Sequence, residues 1–371
     1  MKIVKSQKEN ELDVARSEFI RAFNFVTGIL RMKRLSRKVA LGLALMVLIG
    51  GRASIRNASI SFGLNYANLL RALEHLEEAW GKYLEALRAL IVGPVVVIVD
   101  DTFDHKLYSR VESVASRYGN YFAWCSMHKG YESGVQVLTV ALHDLGTGRS
   151  YMVGAFPYAT RKMWESGQVS EFRTKIEMAA EMIEVLKTRF PVVRVVFDSW
   201  YWSEKLVKDN VVSELKSNRR LLRVRSAEGE DALEVEGHLH VGDLPPGSYF
   251  ADLTLGDHVI TVKLLILEYK DSRLNLYTTD LNMEDETIEE TWKIRWEIEK
   301  LHRDVKTLGM QDSSFLKRRR LQGYLLLFVM VVNAVRDLIG SLKLRSVEEL
   351  LRFVENGLGG AQGLMKMFKL R

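Results

Sequence analysis

The chain has 371 residues, of which 47% are hydrophobic and 27% charged, with a formal net charge of +6 and only 5 prolines. This composition excludes a largely disordered chain and leaves room for about two or three domains around one sizeable core. The basic excess is compatible with a polyanionic partner but does not require one. Because Cys125 is the single cysteine, we expect neither an intrachain disulfide nor a cysteine-based zinc site.

The N-terminus is charged and lacks the apolar region of a signal peptide. The longest apolar runs, residues 39–50 and 324–335, are shorter than the ~20 residues that span a bilayer. Both runs predict buried core helices. We therefore expect a cytoplasmic protein without membrane contact.

Residues 1–92 are predicted to be entirely helical. Within them, residues 54–80 predict a helix, a turn at residues 63–65 and a second amphipathic helix. This is the size of a helix-turn-helix DNA-binding motif, although two packed helices without a DNA role fit the pattern equally well. We predict that residues 1–92 form a helical N-terminal DNA-binding domain.

The next part of the chain predicts an α/β fold. Gly93-Pro94 ends the helical region, and the β-branched run that follows predicts a strand buried on both faces. The predicted elements are, in order, a strand at 95–103, antiparallel strands at 121–144 and 150–159, a helix at 171–190, a buried strand at 192–202, a helix at 203–217 and a strand at 219–225.

Two of the buried strands lead into aspartates. Asp100 and Asp101 follow the first apolar run, and Asp198 follows the second. If the two strands are parallel neighbours, these carboxylates emerge at one edge of the sheet, where divalent cations such as Mg²⁺ would offset their repulsion. Asp100 is the preferred ligand because it ends the apolar run directly; Asp101 is the alternative, and Asp104 is less favoured.

The remainder of the chain changes texture twice. We predict four further segments: the first part of a catalytic core at residues 93–226, a β-rich insertion at 227–284, the second part of the core at 285–340, and a helical C-terminal tail at 341–371. The insertion is predicted because short strand-like pieces alternate there with turns.

One helical face in the second part of the core combines an aromatic ring, two cations and a carboxylate. Arg295, Glu299 and Lys306 follow Trp292 by 3, 7 and 14 residues, which places all four side chains within ~60° on a helix. Glu299 would complete a set of three carboxylates, Arg295 and Lys306 would contact phosphates, and Trp292 would stack on a base or sugar. The plainer alternatives are an ion pair between Arg295 and Glu299 on a solvated helix, and core packing for Trp292.

The pattern Trp292-x2-Arg295-x3-Glu299-x6-Lys306 resembles the Y-x2-R-x3-E-x6-K signature of insertion-sequence DDE transposases. Residues 97–102 and 195–201 are similar to the blocks that carry the first and second catalytic aspartates of that family. The resemblance extends over about residues 95–340. The chain departs from the signature at Trp292, because an indole can only donate through its ring N–H where a tyrosine hydroxyl could also accept.

The resemblance implies a ribonuclease H-like core, a mixed five-stranded sheet flanked by helices, with a β-rich insertion and an all-α N-terminal domain. It implies that Asp100, Asp198 and Glu299 hold two Mg²⁺ (or Mn²⁺) ions, while Arg295 and Lys306 clamp DNA phosphates. The implied partners are double-stranded DNA, both transposon ends and target, and a second copy of the chain in a homodimer. The implied place of action is the nucleoid.

The implied activity is cleavage at the terminal inverted repeats, followed by attack of the freed 3′ hydroxyl on a second phosphodiester. Two alternatives remain open. The chain could be a domesticated or catalytically idle DNA-binding protein, or a structure-specific nuclease on the same core. The intact set of three acidic residues favours an enzyme.

Overall fold

The structure is a computed structural model that describes residues 2–30, 35–49, 53–105, 122–125, 128–159, 161–165, 167, 171–208, 210–227, 232–233, 239–270, 272–312 and 317–370. Within these residues the chain forms an α/β fold, in which one large mixed sheet is flanked by helices. This agrees with the predicted fold class.

The N-terminal part is helical, as predicted. Its helices are α1 (Lys2–Leu30), α2 (Arg37–Met46), α3 (Ile55–Phe62), α4 (Tyr66–Leu73) and α5 (Trp80–Arg88). The side chains of Ser54 and Asn65 accept hydrogen bonds from the first turns of α3 and α4, which satisfies amides that a helix start leaves free. Gly63 ends α3 in the left-handed region at φ 62°, a conformation that glycine adopts without strain. The predicted helix, turn and helix are therefore present; their role in DNA binding stays a prediction.

The sheet is built around the first buried strand. The strands are β1 (Val95–His105), β2 (Phe122–Cys125), β3 (Gly130–Asp144), β4 (Arg149–Pro157), β5 (Val192–Phe197), β6 (Val211–Glu214), β7 (Leu221–Ser226), β8 (Ala232–Leu233), β9 (Gly247–Leu255), β10 (His258–Tyr269) and β11 (Ser272–Thr278). Their order is β2-β3-β1-β5-β6-β11-β10-β9-β7-β8, and β4 also pairs with β3. β1, β5 and β6 are parallel neighbours, whereas β3 is antiparallel to β1 and β4.

Three details of the sheet differ from the prediction. First, β1 does not end at its aspartates, because its pairing with β3 continues from Asp100 to His105. Second, the predicted helix at 203–217 is wrong: β6 lies there, with the buried Val211 and Val212 paired between β5 and β11. Third, the sheet extends beyond five strands, because β11, β10, β9 and β7 continue it outward from β6.

Helices cover both faces of the sheet. α6 (Arg161–Glu165) and α7 (Lys175–Arg189) follow β4 in chain order, and α7 packs on one face against β1 and β3. The capping box of Thr174 and Glu177 fixes the start of α7. On the face that carries Val96 and Asp100 lie α8 (Asp285–Ile294) and α9 (Trp296–Thr307).

The stretch predicted as one helix at 291–306 is interrupted at Arg295. The amide of Arg295 donates to the carbonyl of Trp292, three residues back, and the amide of Ile298 donates to the carbonyl of Arg295 in the same way. This tighter turn separates α8 from α9. The side chains after Arg295 therefore do not continue the helical face that carries Trp292.

A long apolar helix, α10 (Arg318–Ser341), packs against α1, α4 and β4 and joins the N-terminal helices to the sheet. It is followed by α11 (Val347–Arg352) and α12 (Gly360–Phe368). Among the described residues, α10 is the one helix that has the length and apolarity to cross a membrane, and 78% of that apolar stretch is buried inside the fold. One hydrophobic core runs from α1 through the sheet to α12, so the division into domains stays a prediction.

Two glycines of α10 provide a test of this packing. A Cβ atom at Gly323 would lie 1.9 Å from the carbonyl oxygen of Leu73 at the end of α4, whereas a Cβ at Gly340 would meet nothing within 4 Å. We expect Gly323→Ala to lower the free energy of unfolding by at least about 1–3 kcal/mol, because backbone must move. The matched control Gly340→Ala should raise it by about 0.5–1 kcal/mol through helix propensity. Thermal unfolding measures both, and equal effects of the two substitutions would contradict this packing.

Candidate active site

Asp100 in β1 and Asp198 just after β5 lie at the same height along the two parallel strands. Ile98 of β1 pairs with Val196 of β5, so Asp100 and Asp198 are each two residues beyond a paired position. Asp198 then starts a short 3₁₀ turn, Ser199–Tyr201, and its carboxylate accepts a hydrogen bond of 2.9 Å from the amide of Trp200. Pairing between β1 and β5 stops before this level, which opens the edge where both carboxylates lie.

Asp100 is the most buried of these acids, with its side chain 10% exposed. Burial, and after it the negative charge of Glu299, raise the pKa of Asp100 to about 7. Asp198 acts in the same direction, while the amide of Asp101, at 2.8 Å from Asp100 Oδ1, opposes the shift. Burial also raises the pKa of Asp198. The site therefore lacks enough positive charge for its carboxylates, which is the electrostatic condition that a divalent cation corrects.

Arg295 lies between two of the predicted ligands. Its Nη1 is 3.7 Å from Asp100 Oδ2 and 3.4 Å from Glu299 Oε1. The guanidinium is 5.0 Å from the ring centroids of both Trp292 and Trp296, within the range of a cation–π contact. Its Nε is buried and has no hydrogen-bond partner among the described residues. A buried donor without an acceptor is costly, so Arg295 retains capacity to bind an anion.

A hydrogen-bonded chain of side chains lies behind Glu299. Thr139 Oγ1 donates to the backbone carbonyl of Asp100 at 3.0 Å and is 2.7 Å from His302 Nε2. Because the hydroxyl has only one proton to donate, His302 must donate to it through Nε2–H. Nδ1 of His302 then faces Glu299 Oε2 at 3.8 Å. This arrangement, together with Arg295, lowers the pKa of Glu299 and keeps it ionised.

Asp101 points to the opposite face of β1, where its carboxylate is already satisfied. Lys175 Nζ lies 2.7 Å from it, and the hydroxyls of Tyr201 and Tyr158 donate to it at 3.1 and 3.2 Å. The alternation of side chains along a strand separates it from Glu299. The geometry favours Asp100 over Asp101 as a metal ligand.

The donor atoms fit a hard divalent cation. The ligand atoms of Asp100, Glu299 and His302 lie within 4.8 Å of one another, and carboxylate oxygens are the preferred ligands of Mg²⁺ and Mn²⁺. Asp198 is not part of this tight group, although its charge reaches Asp100. Asp100, Glu299 and, from the neighbouring strand, Asp198 are the side chains that would hold the metal.

Two of the predicted phosphate or base contacts, Trp292 and Lys306, have particular surroundings, and for Trp292 the structure agrees with the alternative of core packing. Trp292 is 5% exposed and packs with Val196 and Val212 against the sheet. Its ring also contacts the guanidinium of Arg295. Lys306 lies within electrostatic range of His105, whose pKa it helps to lower after the larger effect of burial.

Sequence reasoning missed three residues at this site. Trp200 and Trp296 are 66% and 57% exposed; Trp200 lies in the 3₁₀ turn that Asp198 starts, and Trp296 directly follows the break at Arg295. Glu214, at the end of β6, is half-buried; burial raises its pKa, Arg295 opposes that shift and Asp198 adds to it. The positions of Trp200 and Trp296 close to Asp198 and Arg295 in the sequence could have identified them. Glu214 was missed because residues 203–217 were wrongly predicted to form a helix.

The raised pKa of Asp100 has a consequence for stability. Because folding raises this pKa from 3.8 to about 7, the folded protein binds the proton more tightly than the unfolded chain, so the carboxyl costs stability as pH rises through this range. Without divalent metal, Asp100→Asn should therefore raise the melting temperature by a few degrees at pH 8 and by less at pH 5. Calorimetric scans at the two pH values measure this.

The neighbouring Asp101→Asn is the control. It weakens the bonds from Lys175, Tyr158 and Tyr201 and should lower the melting temperature at pH 8. Added Mg²⁺ or Mn²⁺ should stabilise the wild type and Asp101→Asn, but stabilise Asp100→Asn far less. A stabilised Asp101→Asn together with a destabilised Asp100→Asn would reverse the assignment.

Comparison with known proteins identifies the family of the chain. Residues 8–347 match the family described as archaeal putative transposase ISC1217. No curated protein matches the chain. The match covers nearly the whole chain, including all of the candidate site, and DDE transposases of this kind use divalent metal ions. The chain therefore belongs to the archaeal ISC1217 family of DDE transposases of insertion sequences.

Proposed function

We propose that this transposase binds the terminal inverted repeats of an insertion sequence and carries out DNA cleavage and strand transfer by two-metal phosphodiester chemistry. The single observation that carries the proposal is the convergence of Asp100 and Glu299 on Arg295, with Asp198 at the adjacent strand end. Membership of the transposase family supplies the substrate class.

Asp100, Asp198 and Glu299 would hold two ions, Mg²⁺ or Mn²⁺. When bound, such ions activate the attacking water or 3′ hydroxyl and stabilise the charge that develops on the cut phosphodiester. Asp100 must be deprotonated to act as a metal ligand, and its pKa in the free protein is about 7. His302 lies behind Glu299, with Nδ1 3.8 Å from Oε2, and Thr139 connects His302 to the backbone of Asp100.

Arg295 would exchange partners when DNA binds. In the free protein its guanidinium lies 3.7 Å from Asp100 and 3.4 Å from Glu299. Its donors, including the unpartnered Nε–H, would turn to a DNA phosphate, which suits the planar guanidinium. Trp292 would keep the guanidinium in position by its buried ring contact, which replaces the phosphate contact implied for a tyrosine there.

The exposed rings of Trp200 and Trp296 provide stacking surfaces beside the carboxylates. An aromatic side chain can stack on any unpaired base, and cleavage of a transposon end exposes such bases. Lys306 would add backbone attraction, and α3 with α4 would recognise the repeat. By family resemblance, we infer a homodimer that joins two ends at the nucleoid.

The strand arrangement supports a ribonuclease H-like core. Read across the sheet, β4-β3-β1-β5-β6 combines an antiparallel β3 with the parallel strands β1, β5 and β6. The catalytic carboxylates would then lie on the central strand, on its parallel neighbour and on the helix that crosses them. The strands β8 to β11 would be the β-rich insertion predicted at residues 227–284; β11 pairs with β6 at the edge of this core, and β9 pairs with β7, which was predicted as part of the core.

Cleavage of DNA duplexes that carry the ends of the parent element tests the proposal. Wild-type protein with Mg²⁺ should cut these duplexes, and Glu299→Gln should lower the rate by at least about 10²-fold, since it removes a metal ligand. The control Glu290→Gln, an exposed glutamate of α8, should leave the rate unchanged. Full activity of Glu299→Gln would reject the site. Wild-type protein that binds these duplexes without cleaving them would be an idle DNA-binding protein. Wild-type protein that cuts duplexes with scrambled ends equally well would be a nuclease.

A second experiment tests the stacking surface. In the Glu299→Gln background, where DNA stays intact, Trp296→Ala should weaken binding of an end with an unpaired terminus by about tenfold or more, because one stacked base contributes about 1–3 kcal/mol. Trp296→Phe keeps an aromatic face and should retain most of the affinity. Fluorescence anisotropy measures both; unchanged affinity of Trp296→Ala would show that the ring does not contact DNA.

A further inference from the structure

A second cluster of metal-binding side chains lies at the far end of β1, away from the carboxylates. His105 ends β1, Cys125 ends β2, His128 lies in the turn between β2 and β3, and Glu132 lies on β3. None of them takes part in the proposed DNA chemistry.

The strand register places three of these residues on one face of the sheet. Cys125 pairs with Gly130 and His105 pairs with Gly134. Glu132 lies between those two glycines on β3, at the same alternation, so its side chain projects to the same side as Cys125 and His105. His128 reaches the group from the turn.

The four donor atoms are close enough to share one ion. Cys125 Sγ is 3.3 Å from His105 Nε2 and 3.8 Å from His128 Nδ1. Glu132 carboxylate oxygens lie 2.8 Å from His128 Nδ1 and 3.1 Å from His105 Nε2. All four donors lie within 4.8 Å of one another, and the edges of a tetrahedral zinc site measure about 3.3–3.8 Å.

We propose that His105, Cys125, His128 and Glu132 form a tetrahedral site for one structural Zn²⁺ ion. The ligand set decides the metal: a thiolate and two imidazoles select zinc, whereas the oxygen-rich set around Asp100 selects Mg²⁺ or Mn²⁺.

The ion would attach the β2–β3 hairpin to the end of the strand that carries Asp100. β2 pairs with β3 alone among the described strands. Because such a site does not exist in the unfolded chain, its binding free energy adds to folding. Zinc would thus hold β1 and β3 in register five residues beyond Asp100.

This proposal departs from the expectation that a chain with one cysteine has no cysteine-based zinc site. A mixed set needs only one thiolate, and the spacing Cys125-x2-His128-x3-Glu132 is short enough for a turn to bring the ligands together. His105, twenty residues before Cys125, could not have been assigned from spacing.

Metal titration of the full-length protein tests this site. After chelation and removal of the chelator, the protein is loaded with Zn²⁺, passed through a desalting column and analysed by mass spectrometry of metal content. We expect about one tightly held zinc per chain. Cys125→Ser and His105→Ala should lose it. The matched control His75→Ala, which removes an imidazole paired with Glu78 at 3.0 Å, should retain it, as should Glu299→Gln.

Replacement of zinc by Co²⁺ identifies the ligands. Wild-type protein should show the intense visible bands of tetrahedral cobalt and a thiolate-to-cobalt charge-transfer band, and Cys125→Ser should lack the latter. His128→Ala changes a half-exposed side chain, so we expect its circular dichroism spectrum to match that of the wild type. Its affinity for zinc should fall at least about 10²-fold. A wild type without bound zinc, or a cobalt spectrum unaffected by Cys125→Ser, would overturn the site and leave a merely hydrogen-bonded cluster.

Discussion

The arrangement of this site depends on the compensation of buried negative charge at Asp100. The side chain is almost excluded from water, and the nearest carboxylates, Glu299 and Asp198, both act against its ionisation. In the free protein the one cation set against Asp100 and Glu299 within the described site is Arg295. With this one guanidinium nearby, the pKa of Asp100 is still about 7, which is the charge imbalance on which the proposed metal binding depends.

The fold produces this situation with few elements. The parallel register of β1 and β5 brings Asp100 and Asp198 to one level, and the alternation of β1 directs Asp100 and Asp101 to opposite faces. The two faces then differ in chemistry, because Asp101 is satisfied by a lysine and two tyrosines while Asp100 faces another acid. The break at Arg295 allows Trp292 to remain in the core while Trp296 faces solvent, with the guanidinium between the two rings.

Much of this could be predicted from sequence. The buried strands before Asp100 and Asp198 were identifiable from their β-branched runs, and the helical spacing of Arg295 and Glu299 predicted that both would reach one place. The α/β class and the helical N-terminal part follow from the same periodicities. These features are local, so hydrophobic pattern suffices to detect them.

The parts that could not be predicted depend on contacts between distant segments. β6 is short, and its amphipathic surroundings look helical until β5 and β11 provide its partners. The choice between Asp100 and Asp101 required the identity of the facing residues, since Lys175 and Tyr201 lie more than seventy residues away in the chain. The grouping of His105 with Cys125 depends on the pairing of β1 and β3, which no spacing rule encodes.

The most direct measurement of the central claim is a crystal structure of the Glu290→Gln control or wild-type protein, soaked with Mn²⁺ in the presence of a cut transposon end. The anomalous scattering of manganese locates the ions without any assumption about which residues bind them. We predict peaks bound by Asp100, with Asp198 and Glu299 as the other protein ligands, and a guanidinium of Arg295 turned from Asp100 to a DNA phosphate. Peaks bound by Asp101, or Arg295 still paired with Asp100 beside bound DNA, would contradict the account.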